Sequence, residues 1–419
     1  MARTRTLLGW TAALALAAAT AVSAATGVVM APRAAAASLQ QVTSFGSNPG
    51  ALTMWTYRPD TALSRSPLVV ALHGCTQDAS GYLTGSGWRE LADRHGITVV
   101  LPQQGTGNNA NRCFNWFQSG DVTRGQGEVA SIASMVSYAV ATYGVDASRV
   151  YVSGLSGGGA MAASMLATYP DLFAGGSVNA GIAHGCATTV AQAYSCMNPG
   201  VDKTPVAWGN LARSGYPGWS GPRPKVAIWH GQSDTTVAPM NGRELRDQWT
   251  DVAGVSQSPT ASGSLAGGVT WTEYGNGAVR LTEIAGMGHG TPVDPGPAPS
   301  QCGAAGAYFL DTVCGAWYDA QFFGLVGASP TPTATSTPTP SPTPTSTSPT
   351  PTVTPTPTPS PTATATCVTS NNYVHVQAGR ARHQSGYALA VGSNDNLGLY
   401  NTYATSSVRE STPGYWQKC

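Results

Sequence analysis

The sequence predicts an α/β fold built on a mostly parallel sheet, and three observations carry that reading. Short apolar runs of five residues, Leu68–Leu72 and Ile97–Leu101, have the composition of strands buried on both faces. Stretches of helical composition or helical spacing separate these runs. Strands that alternate with helices pack as a parallel sheet covered on both sides. The third observation is a serine set between glycines where a strand gives way to a helix.

The chain starts with a different kind of segment. Arg3 and Arg5 precede an apolar run from Leu7 to Val22, and small residues follow as far as Ala34–Ala37. A basic start, an apolar middle and a small-residue end make up a secretory signal peptide over residues 1–37. Cleavage is expected after Ala37, with Ala24 as the alternative. The run is too Ala-rich and short for a bilayer span, so no membrane partner is expected and the protein is read as secreted.

The body runs over residues 38–328. After the Leu68–Leu72 strand comes a helix at Trp88–His95, then the strand Ile97–Leu101. Val129, Ile132, Val136, Ala139, Val140 and Tyr143 recur at helical spacing, which predicts a helix over Gly127–Tyr143. Arg149–Ser153 reads as the next strand and Gly157–Tyr169 as the next helix. Val226–Trp229 and Val279–Ile284 supply later strands, with a helix over Gly242–Val252 between them. Residues 329–366 are almost wholly Pro, Thr, Ser and Ala, a semi-rigid spacer with no apolar face to bury. Residues 367–419 form a small tail closed by Cys367 and Cys419.

Composition excludes several function classes. Charged residues make up 10% of the chain and the net charge is +1, so the basic stripe of a nucleic-acid binder is missing. The eight cysteines of an exported chain read as disulfides. Eight permit on the order of a hundred pairings. Nearest-neighbour pairing is the simplest, because each short loop then closes locally. No C-x-x-C pair occurs, and no carboxylate pattern accompanies His73, His230 and His289, so neither a metal nor a cofactor is expected.

Gly154-Leu-Ser-Gly-Gly158 matches the G-x-S-x-G elbow of α/β-hydrolases, with an apolar strand before it and an Ala/Met-rich helix after it. That places Ser156 on a strained turn with its hydroxyl clear of the sheet. Serine needs a histidine to take its proton, and the histidine needs a carboxylate to orient it. In this fold the order along the chain is Ser, then acid, then His. His289 lies in a glycine-rich loop directly after the Val279–Ile284 strand and is the expected base. His230 ends a strand and reads as a buried imidazole bonded to backbone; His184 is a weaker rival. Asp234 sits on the turn after Val226–Trp229 and is the expected acid, whereas Asp247 and Asp251 fall on the following helix and should face solvent. The backbone N–H groups of Gly157 and Cys75 are the expected oxyanion donors, with His73 bracing the Cys75 loop.

Five segments in order, His73-Gly-Cys-Thr-Gln77, Cys113-Phe-Asn-Trp-Phe117, the serine box, Gly231-Gln-Ser-Asp-Thr235 and Gly288-His-Gly290, resemble extracellular poly(3-hydroxybutyrate) depolymerases. The wider esterase group includes feruloyl and acetylxylan esterases. The resemblance covers Leu39 to Leu325 and implies a non-permuted catalytic domain. It carries Ser156, Asp234 and His289 over as the triad, and Cys75 and Gly157 as oxyanion contributors. It also implies a Cys75–Cys113 bridge that sets Trp116 beside the cleft, with Trp116 and His73 taken as substrate contacts. Gly157 stands where many relatives carry Ala. In the tail, Asn372–Arg380, Ala388–Ser393 and Cys419 resemble the polyester-binding module of those enzymes, with His375, Arg380 and His383 as polar contacts. Its aromatics are either an adsorbing surface or the module's own small core.

The protein is therefore expected to be a monomeric serine esterase acting on an insoluble polyester of the short-chain polyhydroxyalkanoate type. The rivals are an esterase on plant cell-wall polysaccharide with a carbohydrate-binding tail, and a non-catalytic polymer-binding protein.

Overall fold

A computed structural model describes residues 37–326, 367–384, 387–399, 404–412 and 415–419. The leader assigned to residues 1–37 lies almost wholly outside the described residues, and the spacer of 329–366 entirely so. The chain divides into two compact units, with residues 37–326 in the first and the tail in the second.

The first unit is organised by one sheet of ten strands. They are β1 (Gln40–Val42), β2 (Thr53–Tyr57), β3 (Leu68–Leu72), β4 (Thr98–Gln103), β5 (Val150–Leu155), β6 (Gly175–Asn179), β7 (Lys225–Gly231), β8 (Ala261–Leu265), β9 (Val269–Tyr274) and β10 (Val279–Ile284). Their order is β1-β2-β4-β3-β5-β6-β7-β10-β9-β8. The run from β4 to β10 is parallel, and the two strands at each end are antiparallel.

Burial explains the sequence of the central strands. Leu68, Val70 and Leu72 of β3 point to one face, where the helices Gly127–Tyr143, Gly157–Thr168, Pro205–Ser214 and Met240–Ala253 pack. Val69 and Ala71 point to the other, against Ala79–Gly85, Trp88–His95 and Gly315–Phe322. Covered on both sides, the strands have no polar face, which is why they read as continuous apolar runs.

Strands β1, β2, β6, β8 and β9 were not legible in the sequence. β6 reads Gly-Gly-Ser-Val-Asn, without the β-branched run that marks a strand. Its glycines answer to packing: a Cβ on Gly176 would lie 2.8 Å from Val152 Cγ1. β8 is mostly exposed and short.

The order β4-β3-β5 reverses the direction of strand addition at β3, which opens a crevice beyond the carboxyl ends of β3 and β5. β3 and β5 are paired with Leu72 opposite Gly154, so the loops leaving them emerge side by side. Further along, β7 and β10 are paired with Gly231 opposite Ile284, so their loops also leave as neighbours. Four disulfides join nearest neighbours: Cys75–Cys113, Cys186–Cys196, Cys302–Cys314 and Cys367–Cys419.

The second unit has two three-stranded sheets. One pairs Val368–Asn371, Thr405–Thr412 and Tyr415–Lys418, and the other Ala381–Gln384, Tyr387–Ala390 and Asn396–Leu399. Its buried apolar cluster is Ala381, Ala388, Ala390, Leu397 and Val408, mostly small side chains. Among the described residues so small a cluster fits a unit closed by the Cys367–Cys419 staple.

Candidate active site

Ser156 stands between β5 and the helix Gly157–Thr168 with φ 57° and ψ −117°, a conformation that an L-residue adopts only under constraint. The constraint is close packing. A Cβ on Gly154 would lie 2.2 Å from Gly158 O, and one on Gly158 would lie 2.3 Å from Leu72 O and 2.4 Å from His73 O. Both glycines of the box are thus required, one for closing the turn and one for the approach of the helix to β3. The Ser156 N–H donates to Asn179 O at 2.9 Å, which ties the turn to β6. A methyl on Gly157 would sit 3.2 Å from Cys75 Sγ, so the glycine eases the contact with the disulfide.

Asp234 and His289 lie on the loops after β7 and β10. Asp234 Oδ2 is 2.7 Å from His289 Nδ1, and its Oδ1 accepts from the N–H groups of Thr236 at 2.8 Å and Val237 at 2.9 Å. Burial raises the carboxyl pKa, but the His289 hydrogen bond and the two N–H donors outweigh it and hold the group below its ordinary value. Asp234 is therefore an anion that fixes His289 with Nδ1 as the donor, leaving Nε2 for chemistry. His289 and Ser156 line the same cavity, about 160 Å³, with Cys75, Gln77, Met197, Thr236 and Tyr308. The ring of His289 meets Tyr308 edge-on at 6.1 Å.

Ser156 also lines a second, larger cavity of about 370 Å³. Its walls include Gly157, Trp116, Phe117, Ile182, Tyr194 and Met197, a mainly apolar set. The two cavities share Cys75, Thr76, Ser156 and Met197, so a chain could extend to both sides of the serine hydroxyl. Among the described residues, the N–H groups of Cys75 and Gly157 have no hydrogen-bond acceptor. They border both Ser156 and the cavity, as donors for a developing oxyanion must.

The other histidines of this unit are internal. His230 is fully buried with Nε2 2.9 Å from Val237 O, and burial lowers its pKa, so it is neutral and clamps the carbonyl of the Asp234 turn. His184 is buried with Nδ1 3.0 Å from Ser164 Oγ. His73 corrects an expectation. It is only 1% exposed, its Nδ1 donates to Gly74 O at 2.7 Å, and its Nε2 accepts from Gln104 N at 3.1 Å. Burial lowers its pKa to about 4. A ring enclosed in this way braces the Cys75 loop and cannot touch substrate. Asp247 and Asp251 are likewise not free in solvent: they are half-buried in ion pairs with Arg246 and Arg213.

Trp116 is buried but lines the larger cavity beside Ser156. Sequence reasoning missed the supports behind it. Gln77 Oε1 accepts from Gly74 N at 2.7 Å, and Gln104 Nε2 donates to Cys113 O at 3.1 Å. Tyr308, on the rim, was missed as well. Gln77 closes the His73–Gln77 segment but carries no sign of its role there, Gln104 stands in no motif, and only contact with the His73–Cys75 loop reveals what they do.

In the tail, the contact assigned to His375 needs correction. His375 is fully buried, with Nε2 2.9 Å from Ser406 O and Nδ1 accepting from Arg380 Nε at 3.1 Å. Arg380 is half-buried with its guanidinium 5.9 Å from the Trp416 ring. The enclosed His375 ring holds the module together, while Arg380 stays partly exposed. His383 is exposed on its strand, and Tyr415 is 42% exposed. Tyr400 and Tyr403, and the side chains of Tyr373 and Tyr387, lie outside the described residues.

Residues 51–273 match the family described as Esterase PHB depolymerase. The chain is 53% identical over 294 residues to poly(3-hydroxyalkanoate) depolymerase C of Paucimonas lemoignei, covering 69% of this chain and 71% of that protein. It is 40% identical over 266 residues to feruloyl esterase B of Neurospora crassa, covering 62% of this chain and 90% of that protein. Among solved structures, an acetyl xylan esterase from Aspergillus awamori superposes with a TM-score of 0.60 at 31% identity. That match covers 69% of this chain and 100% of the other. A parallel sheet with a strained serine at its switch point, the paired loops carrying Asp234 and His289, and these matches lead to one conclusion: the chain belongs to the PHB depolymerase family of α/β-hydrolase esterases.

Proposed function

We propose that this protein is a secreted enzyme that cleaves the ester bonds of a short-chain polyhydroxyalkanoate, with Ser156, His289 and Asp234 as its catalytic triad. The observation that carries the reading is the 2.7 Å Asp234–His289 hydrogen bond in the wall of the cavity that also holds Ser156. His289 takes the Ser156 proton through Nε2 as the hydroxyl oxygen attacks the ester carbonyl. The N–H groups of Cys75 and Gly157 stabilise the oxyanion, and collapse expels the alcohol end of the polymer with the proton held by His289. Water then attacks the acyl-enzyme by the same route in reverse. Residues 38–328 are the catalytic domain, 329–366 the spacer and 367–419 the module that holds the enzyme on solid polymer. Among the described residues no helix is long and apolar enough to cross a membrane, and neither a metal nor a cofactor enters this mechanism.

A polyester suits the apolar wall of the larger cavity, made by Trp116, Phe117, Ile182, Ala193 and Met197, with polar groups of Thr76, Asn109 and Asn111 also in the lining. The second reading is an esterase on acetylated or feruloylated polysaccharide, favoured by the feruloyl and acetyl xylan esterase matches. Clearing of opaque polyhydroxybutyrate agar, run beside ferulate and acetate release, decides between them. The polyester reading expects a halo that Ser156→Ala abolishes, with a kcat on soluble ester lower by about 10⁴–10⁶. Ferulate or acetate release without a halo refutes it.

A further inference from the structure

Behind the site lies a buried carboxyl that the mechanism does not use. Glu128, at the start of the helix Gly127–Tyr143, is fully buried and faces hydrogen-bond donors. Its Oε2 accepts from Asn115 N at 2.8 Å; its Oε1 accepts from Gln104 Nε2 and lies 3.3 Å from Asn108 Nδ2. The same Gln104 amide donates to Cys113 O at 3.1 Å, and the Gln104 N–H donates to His73 Nε2. Asn109 Nδ2 adds a bond to Asn115 Oδ1 at 2.9 Å. One carboxyl thus sits at the junction of two structures that border Ser156: the loop carrying Cys75, and the wall carrying Trp116 and Phe117. Gly50 seals it from behind, since a Cβ there would lie 2.5 Å from Glu128 Cα.

We infer that Glu128 is a positioning residue, whose carboxylate holds the Cys113–Phe117 wall and the His73–Cys75 loop in the register that ester cleavage needs. The inference rests on the proposed roles of Cys75 and Ser156. Three N–H donors and no acceptor face the carboxyl, so the arrangement suits the anion; a protonated carboxyl would turn its O–H toward another donor. Burial nevertheless pushes its pKa up to about 8, and the Asp121 carboxyl on the neighbouring helix adds to the rise. Asp121 itself is raised, chiefly by burial. The charged form that organises the wall is therefore gained as pH rises through about 8. Stability runs the other way. A folded-state pKa above the ordinary 4.5 gives stability that is present below 4.5 and lost as pH rises through about 8.

The test compares wild type with Glu128→Gln on a soluble nitrophenyl ester, measuring kcat and melting temperature across pH. The variant presents an N–H₂ where an acceptor stood, and kcat is expected to fall about ten-fold at alkaline pH through misplacement of the wall. Wild-type kcat is expected to climb as pH passes about 8; the variant should lack that step. Between about pH 4.5 and 8 the melting temperature of the variant should gain on that of wild type, with no further gain above. Equal kcat and identical pH profiles overturn the inference, as does a parallel loss of activity and stability at every pH. If the variant does not fold, wild type alone decides: a flat kcat between about pH 7 and 9, across the Glu128 titration, overturns it. Ser156→Ala separates the two levels. Activity surviving in it refutes the site itself, whereas an inert Ser156→Ala with an unaltered Glu128→Gln refutes only the role of Glu128.

Discussion

Two histidine-bearing regions behave in opposite ways. In the first unit Ser156 after β5 and His289 after β10 line one crevice, and Asp234 after β7 holds His289 from behind. In the tail one of the three polar residues singled out for binding, His375, is buried, with Ser406 O on its Nε2 and Arg380 bound to its Nδ1, while His383 stays exposed. The difference is one of scale. A ten-stranded sheet with two large apolar faces leaves its loops free for function. Among the described residues of the tail the buried apolar cluster is three alanines, one leucine and one valine, so polar side chains such as His375 take a larger share in holding it together.

The comparison can be broken first at Asp234. Replacing it by Asn keeps the shape but lets His289 adopt the wrong tautomer, and kcat is expected to fall about 10⁴-fold. The depressed pKa of Asp234 adds a signature in stability. Its contribution is present above the ordinary 3.8 and is lost as pH falls through the lower folded value. Asp234→Asn should therefore flatten the acid limb of the melting curve measured against pH. Unchanged turnover would show that the large unit, too, uses its polar residues only for structure.

How much could be read in advance follows from the same contrast. The central strands β3 and β10 and the helix Gly127–Tyr143 matched their sequence bounds, because burial on both faces or on one stripe leaves a periodic record. The places of Ser156, Asp234 and His289 at the ends of β5, β7 and β10 were legible because a serine box and two strand-end loops have fixed places in the fold. β6 was not, since its Gly-Gly-Ser start is shaped by contact with Val152 and Leu166 rather than by local preference. His73 was half legible: its loop was identified, but that both ring nitrogens would be enclosed depends on Gln104, a residue 31 positions away. Glu128 left no local sign, because its partners come from the segment 104–115 and from nowhere in its own helix.

The next effect in size belongs to the staple. Replacing Cys367 and Cys419 by Ser should remove about 2–5 kcal/mol from the tail, enough to unfold so small a module at physiological temperature. Turnover of a soluble ester should stay as in wild type, while attack on solid polymer drops. Loss of both activities together would mean that the two units are not separate in function.

The smallest effects sharpen the comparison most, because they distinguish two histidines eight residues apart in one module. His375→Ala strips a fully buried ring of two hydrogen bonds, leaving Ser406 O and Arg380 Nε without their partner. The cost is expected at about 1–3 kcal/mol for the buried groups left unsatisfied, read as a lower denaturation midpoint of the tail. His383 stands exposed on the Ala381–Gln384 strand, and His383→Ala should cost less stability than His375→Ala. If His383 is a contact with polymer, its loss weakens adsorption at unchanged stability. The His375 variant should weaken adsorption only in proportion to the unfolded fraction. Equal stability losses in the two variants would mean that exposure does not separate binding from folding here, and the polymer contact would then have to be sought among the aromatics, beginning with Tyr415.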